Sequence, residues 1–187
     1  MGKNRNPRPA WASVTGIVVA GHRVASQPSK DYPYPTLEKQ KPYFKALGLD
    51  LDGFFPGTLN ISIAPLTFEM VAPQYTFPLV AWTNLHPPET FFFSPCKIRF
   101  AGREYAGMVY YPHPETKIRH FQNPSLIEVL AEKIPGIGYG STVELVLNPE
   151  QIKITQGRGP PAHLCKHRGG TKSSRCFTTT DKFHAGF

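Results

Sequence analysis

Apolar residues in this chain fall into short runs, most of them alternating with polar positions and separated by proline or glycine. That two-residue period predicts half-buried strands rather than helices. Residues 13–20, Ser-Val-Thr-Gly-Ile-Val-Val-Ala, predict a first buried strand. Residues 58–63 alternate cleanly behind Pro56-Gly57, a turn pair in which proline presets one φ and glycine tolerates a positive one. Residues 77–82 contain Pro78 and predict an edge strand, because proline cannot donate to a sheet ladder on both sides. The cluster Phe91-Phe92-Phe93 leads into a strand over 96–100, which Ala101-Gly102 turns back into residues 103–111 as a hairpin. Residues 126–130 fit strand or helix equally, 142–147 alternate as a strand, and 151–154 add a last one. Helical spacing occurs once, at Leu37, Phe44 and Leu47, with Gly48 as the stop. Pro42 lies inside that stretch and predicts a break there or a later start.

Five to seven short strands with one helix predict a mainly β protein, a small β-barrel with a helical insertion. Composition agrees: 20 prolines and 16 glycines disfavour long helices, and 13 phenylalanines with 40% hydrophobic residues are enough for a real core. The formal charge of +8 is distributed unevenly. Lys3, Arg5 and Arg8 give residues 1–12 a charge of +3. Arg158, Lys166, Arg168, Lys172, Arg175 and Lys182, against Asp181, give residues 156–187 a charge of +5. The body between them holds twelve basic and twelve acidic residues and is formally neutral. The expected organisation is therefore a basic tail at 1–12, a barrel at 13–155 and a basic, disordered tail at 156–187. A neutral body argues against a specific reader of nucleic acid, which would carry its charge on the folded face.

Three cysteines, Cys96, Cys165 and Cys176, and no secretory or membrane-spanning apolar run predict a reducing, cytoplasmic setting. His163, Cys165, His167 and Cys176 have no standard zinc-finger spacing and read as incidental tail residues.

Chemistry concentrates at the opening of the second strand. Residues two apart on a strand share a face, so Thr58 and Asn60 project together. A hydroxyl and an amide carbonyl side by side are hard neutral oxygen donors, suited to a hydrated Mg²⁺ that also holds phosphate oxygens. A polar strand edge with turn-stabilising side chains fits the same pattern.

Several segments then stand in a recognisable order: Gly16-Ile17-Val18-Val19-Ala20-Gly21, Gln40 and Phe44 before Leu47-Gly48, Pro56-Gly57-Thr58-Leu59-Asn60, Ile127-Glu128-Val129, and Gly140-Ser141-Thr142-Val143-Glu144. Over residues 14–147 this order resembles the archaeal-type CTP-dependent riboflavin kinases, with Pro-Gly-Thr-Leu-Asn as the strongest element. The resemblance implies a six-stranded cradle-loop barrel with one short helix, and a Mg²⁺-dependent transfer of phosphate from CTP to riboflavin, giving FMN and CDP. It implies Thr58 and Asn60 as metal ligands and Glu128 as the residue facing the ribityl end of the flavin. It implies nucleotide contacts from the loop Gly21, His22, Arg23, Val24, Ala25 and Ser26, and from Lys133 and Ile134 in the segment after Glu128.

The chain departs from the family's glycine-rich loop, keeping Gly21 but carrying Arg23, Val24 and Ala25 where further glycines are expected. Side chains there obstruct a close backbone approach to phosphates. A guanidinium at Arg23 could instead clamp phosphate oxygens directly, and Lys30 lies nearby in sequence. Three functions therefore stay open: a kinase in which Arg23 and Glu128 are catalytic, a non-catalytic nucleotide- or flavin-binding barrel with a degraded phosphate loop, and, against the neutral body, a scaffold whose basic tails contact nucleic acid or another protein. His22 and His120 read as loop histidines with nothing beside them to activate them. Tyr105, Tyr110 and Tyr111 fit either a flavin-stacking wall or the barrel core.

Overall fold

A computed structural model describes residues 10–21, 35–116 and 123–157. The chain divides after Gly157 into two units, and the second, residues 158–187, lies outside the described residues. The expectation of a disordered basic tail, with its histidines and cysteines, lies there as well. Among the described residues no helix is long and apolar enough to cross a membrane.

Among the described residues nine strands and one helix follow in order: β1 (Ala12–Val19), α1 (Thr36–Ala46), β2 (Leu59–Ser62), β3 (Leu66–Met70), β4 (Tyr75–Val80), β5 (Glu89–Phe100), β6 (Arg103–Pro112), β7 (Leu126–Ala131), β8 (Thr142–Leu147) and β9 (Ile152–Gln156). Six of them close a barrel in the order β5-β6-β7-β2-β1-β8, with β8 returning to β5. All its pairings are antiparallel. The barrel expected from the sequence is thus present, with β4 added at the free edge of β5 and a separate β3–β9 ribbon. The ambiguous run at 126–130 is a strand, since its Ile127 and Val129 alternate into the barrel core.

Alternation assigns the two faces of the wall. Val14 and Val18 of β1, Ile61 of β2, Ile127 and Val129 of β7 and Leu145 of β8 point inward and are almost fully buried. Gly16 lies between the two valines, and a Cβ there would meet Ile61 Cγ2 at 2.5 Å and the Ser62 carbonyl oxygen at 3.0 Å. A side chain of any size is excluded from that layer of a small filled barrel.

A second core lies against the outer face. Phe91 and Phe93 of β5 and Met108 and Tyr110 of β6 are buried on that side, under Leu37 and Phe44 of α1. Phe44 meets Phe91 and Phe93 edge-on, with ring centroids 5.0 and 4.9 Å away. Edge-to-face contact aligns positive ring edges with negative faces and adds to the burial itself. Burial on both faces explains why residues 91–94 and 107–110 read as near-continuous small and apolar runs rather than as alternation. It also explains why β5 begins at Glu89, well before the hairpin segment expected at 96.

The helix passes through Pro42 without breaking. Proline removes the bond to the Glu38 carbonyl, but burial of Leu37 and Phe44 on either side of it holds the backbone helical. Gly48 ends the helix as expected, at φ 95°, with its N–H on the Lys45 carbonyl and the Leu49 N–H on the Phe44 carbonyl. That pair of bonds is a Schellman motif, and Leu49 and Phe44 share the outer core. The β5–β6 turn is the expected two-residue one, with Ala101 and Gly102 both at positive φ.

Candidate functional site

Because Ile61, Ile127 and Val129 face the lumen, their neighbours Asn60 and Glu128 face outward. Asn60 pairs with Glu128 on one side and Val19 on the other. Thr58 enters just ahead of β2, on the same outer face as Asn60. The Thr58 hydroxyl lies 3.4 Å from Glu128 Oε2, and Asn60 Nδ2 lies 3.4 Å from Thr58 Oγ1 and 3.5 Å from the Thr58 carbonyl oxygen. All three residues are half-buried. Residues distant in sequence, from a turn and two strands, thus meet on one patch of the outer wall.

Gly21, just after β1, borders this patch. A Cβ at Gly21 would fall 2.3 Å from Asn60 Nδ2 and 2.6 Å from Asn60 Oδ1. The Asn60 amide occupies the volume a side chain would need, which is a structural reason for glycine here besides any approach of phosphate.

β6 pairs with β7 at Met108–Leu130 and Val109–Val129, and the next residue, Tyr110, lies close enough to Glu128 to feel its charge. The Tyr110 hydroxyl donates to Gln40 Oε1 at 3.0 Å. Burial, and after it the charges of Glu128 and Glu89, push that hydroxyl well above its usual pKa, so Tyr110 is a neutral wall beside the Glu128 carboxylate. Next to Gln40 on α1, the ammonium of Lys41 donates to the Phe54 carbonyl at 3.0 Å and to Glu38 Oε1 at 3.2 Å. The ring of Phe55, next to that carbonyl, is half exposed.

Of the residues expected from the sequence, Thr58, Asn60, Glu128 and Gly21 are brought together. His22, Arg23, Val24, Ala25 and Ser26 lie outside the described residues, as do Lys30 and His120. Lys133 is exposed, whereas the Ile134 side chain packs into the barrel core, leaving only its backbone for a ligand. Tyr105 and Tyr111 pack against the barrel core, while Tyr110 belongs to the opposite, helix-covered face. Sequence reading missed Lys41, which stands in the buried stripe of α1 as a lysine where an apolar residue is expected.

The donor set suits a hard cation. Thr58 Oγ1, Asn60 Oδ1 and one carboxylate provide oxygen only, and no group of three or more His, Cys, Asp or Glu side chains occurs among the described residues. Mg²⁺ commonly binds through one or two carboxylates and takes its remaining ligands from water and phosphate. An open groove of about 380 Å³ lies elsewhere, among Arg99, Arg103, Glu104, Thr142 and Glu144. In the barrel order β5 and β8 stand opposite β2 and β7, so this groove is remote from Thr58 and Glu128. Within it Arg99 is paired with Glu104 at 3.0 Å and with Glu144 at 3.3 Å. No protein-family model and no curated protein matches this chain.

Proposed function

We propose that the chain is a Mg²⁺-dependent phosphotransferase of the riboflavin-kinase type, transferring the terminal phosphate of a nucleoside triphosphate, CTP by preference, to riboflavin or a related polyol-bearing molecule. One observation carries the reading: the hydroxyl of Thr58, the amide of Asn60 and the carboxylate of Glu128 converge within hydrogen-bond reach on the outer barrel wall. Thr58 and Asn60 would hold Mg²⁺, which when bound neutralises charge on the donor's terminal phosphates. A half turn of the Asn60 amide exchanges Nδ2 for Oδ1 on the side facing Thr58.

Glu128 accepts a hydrogen bond from the acceptor hydroxyl and takes its proton as that oxygen bonds to the γ-phosphorus. The bond from the γ-phosphorus to the β,γ-bridging oxygen breaks, and the nucleoside diphosphate leaves. The neutral, buried Tyr110 on one flank of Glu128 keeps water from that side of the carboxylate. Arg23, from the loop after Gly21, would clamp the transferring phosphoryl, and the backbone near Lys133 and Ile134 would border the nucleotide. A cytoplasmic setting, where both substrates are at hand, goes with this reading.

The test is FMN formation by the purified chain with Mg²⁺, riboflavin and each of the four nucleoside triphosphates in turn. The expected result is FMN with CTP, lost on chelation. Thr58→Ala with Asn60→Ala is expected to lower turnover by at least about 100-fold while leaving the circular-dichroism melting curve in place. Unchanged turnover in that double variant would rule out the metal site. The replacement of glycines by Arg23, Val24 and Ala25 favours a second reading, a barrel that binds nucleotide or flavin without turnover. Saturable flavin or nucleotide binding without FMN from any donor would establish it.

A further inference from the structure

We propose that Lys41 is a positioning residue for the metal-binding turn: its buried ammonium fixes the peptide unit from which Pro56, Gly57 and Thr58 lead off. The proposal rests on the phosphotransferase reading of the same site.

Leu37, Gln40, Lys41 and Phe44 form the buried stripe of α1, at the spacing that an amphipathic helix fills with apolar side chains. A lysine in such a stripe gives up most of its hydration, and a hydrocarbon of the same volume would be accommodated there more cheaply. The Lys41 side chain is only 10% exposed. Its ammonium nonetheless has two partners, Glu38 Oε1 at 3.2 Å and the Phe54 carbonyl oxygen at 3.0 Å. The second contact explains the residue.

The Phe54 carbonyl and the Phe55 N–H belong to one planar peptide group. Lys41 of α1 holds its oxygen, and the Ala131 carbonyl of β7 accepts its N–H at 2.8 Å. The peptide plane is therefore pinned at both ends, between the helix and the barrel wall. From that plane the path to Thr58 has little freedom. Proline fixes φ at Pro56, and the Gly57 N–H closes onto the Phe55 carbonyl at 2.8 Å. Ala131 lies on the same strand as Glu128, so one clasp sets Thr58 relative to Glu128. Without the ammonium the peptide keeps one anchor and can rotate about it, carrying Thr58 Oγ1 away from the carboxylate.

The experiment is an electron paramagnetic resonance titration of the full chain with Mn²⁺, a hard cation that stands in for Mg²⁺ and reports binding independently of turnover. Wild type, Thr58→Ala, Lys41→Met and Lys41→Arg are compared, with melting temperatures measured alongside. The expected pattern is one Mn²⁺ site in the wild type, absent in Thr58→Ala. Lys41→Met should weaken it by about 10- to 100-fold, the range typical of groups that orient metal ligands. Lys41→Arg, whose guanidinium can donate to the same carbonyl, should bind within about threefold of wild type. If Lys41→Met does not fold, Lys41→Gln, too short to reach the carbonyl, replaces it with the same expected weakening.

Wild-type binding that is lost in Thr58→Ala but unchanged in the Lys41 variants would overturn the proposal alone. A lowered melting temperature at unchanged affinity would do the same, reducing Lys41 to a packing role. No Mn²⁺ binding by the wild type would overturn the metal-site reading and this proposal together.

Discussion

At Gly21 the room for a methyl group is already taken by the amide of Asn60. Its φ lies outside the left-handed region, so alanine there meets a steric conflict and no backbone strain. The clashing atoms are the tip of a side chain, which can swing aside. Gly21→Ala is therefore expected to melt within a few degrees of wild type while lowering the proposed phosphoryl transfer by about 100-fold, because about 1 Å of misplacement at a reacting group has that effect. Parallel melting and turnover measurements separate the two; equal turnover would mean that the Asn60 amide is not needed where it stands. At this scale the sequence carried the residue types well. Thr58 and Asn60 are legible as polar positions at the opening of a strand, where periodicity puts them on one face, and Glu128 as a lone acid in a short apolar run. Tyr110 was only one of three tyrosines, and the parity that separates it from Tyr105 and Tyr111 becomes informative only once the strand's two faces have partners.

At the scale of elements, the hairpin of β5 and β6 and its neighbour β8 carry one network of exposed ion pairs. Glu104 is held below the usual carboxylate range by hydrogen bonds from Lys97 and then Arg99, and Glu144 by hydrogen bonds from Ser13 and then Arg99. A carboxyl whose pKa is depressed on folding adds stability above its unfolded value, about 4.5, and loses it as pH falls through the lower folded value. Urea midpoints are thus expected to hold steady from neutrality down to about pH 5 and to fall below that. Glu104→Gln with Glu144→Gln should flatten the acid limb slightly, and 1 M NaCl should shrink the difference, since exposed pairs are weak and screened. An acid limb identical in wild type and double variant would show that these pairs contribute nothing to folding. Element type was legible where periodicity was long, as in β1 and β8. It was illegible at Pro42, where local chemistry argues for a break and only the anchoring of Leu37 and Phe44 keeps the helix whole. It was equally illegible at residues 126–130, where a short apolar run has no preference until β2 and β6 pair with it.

For the whole molecule, stability depends on closing the barrel through β8, which pairs with β1 on one side and β5 on the other. Leu145 sits at that seam with no exposed surface. Leu145→Ala is expected to cost about 2–5 kcal/mol, from lost burial and the cavity left behind. Ile17→Ala, on the outward face of β1 and 49% exposed, should change stability by less than about 0.5 kcal/mol. Chemical denaturation of both variants tests the inside and outside assignment, and equal losses would contradict it.

The sequence by itself determined the mainly β class, the turns at Pro56-Gly57 and Ala101-Gly102, the helix stop at Gly48, and the residue types at the candidate site. These depend on periods of two and on the φ preferences of proline and glycine, which act within a few residues. Only the tertiary structure decided that the barrel closes between β5 and β8, that a second core lies outside it, and that the candidate site is on the outer wall. It also decided that Lys41 reaches the Phe54 carbonyl and that Gly21 yields its space to Asn60. Those facts depend on which strands become neighbours, and strand pairing joins residues tens of positions apart that carry no local mark of one another.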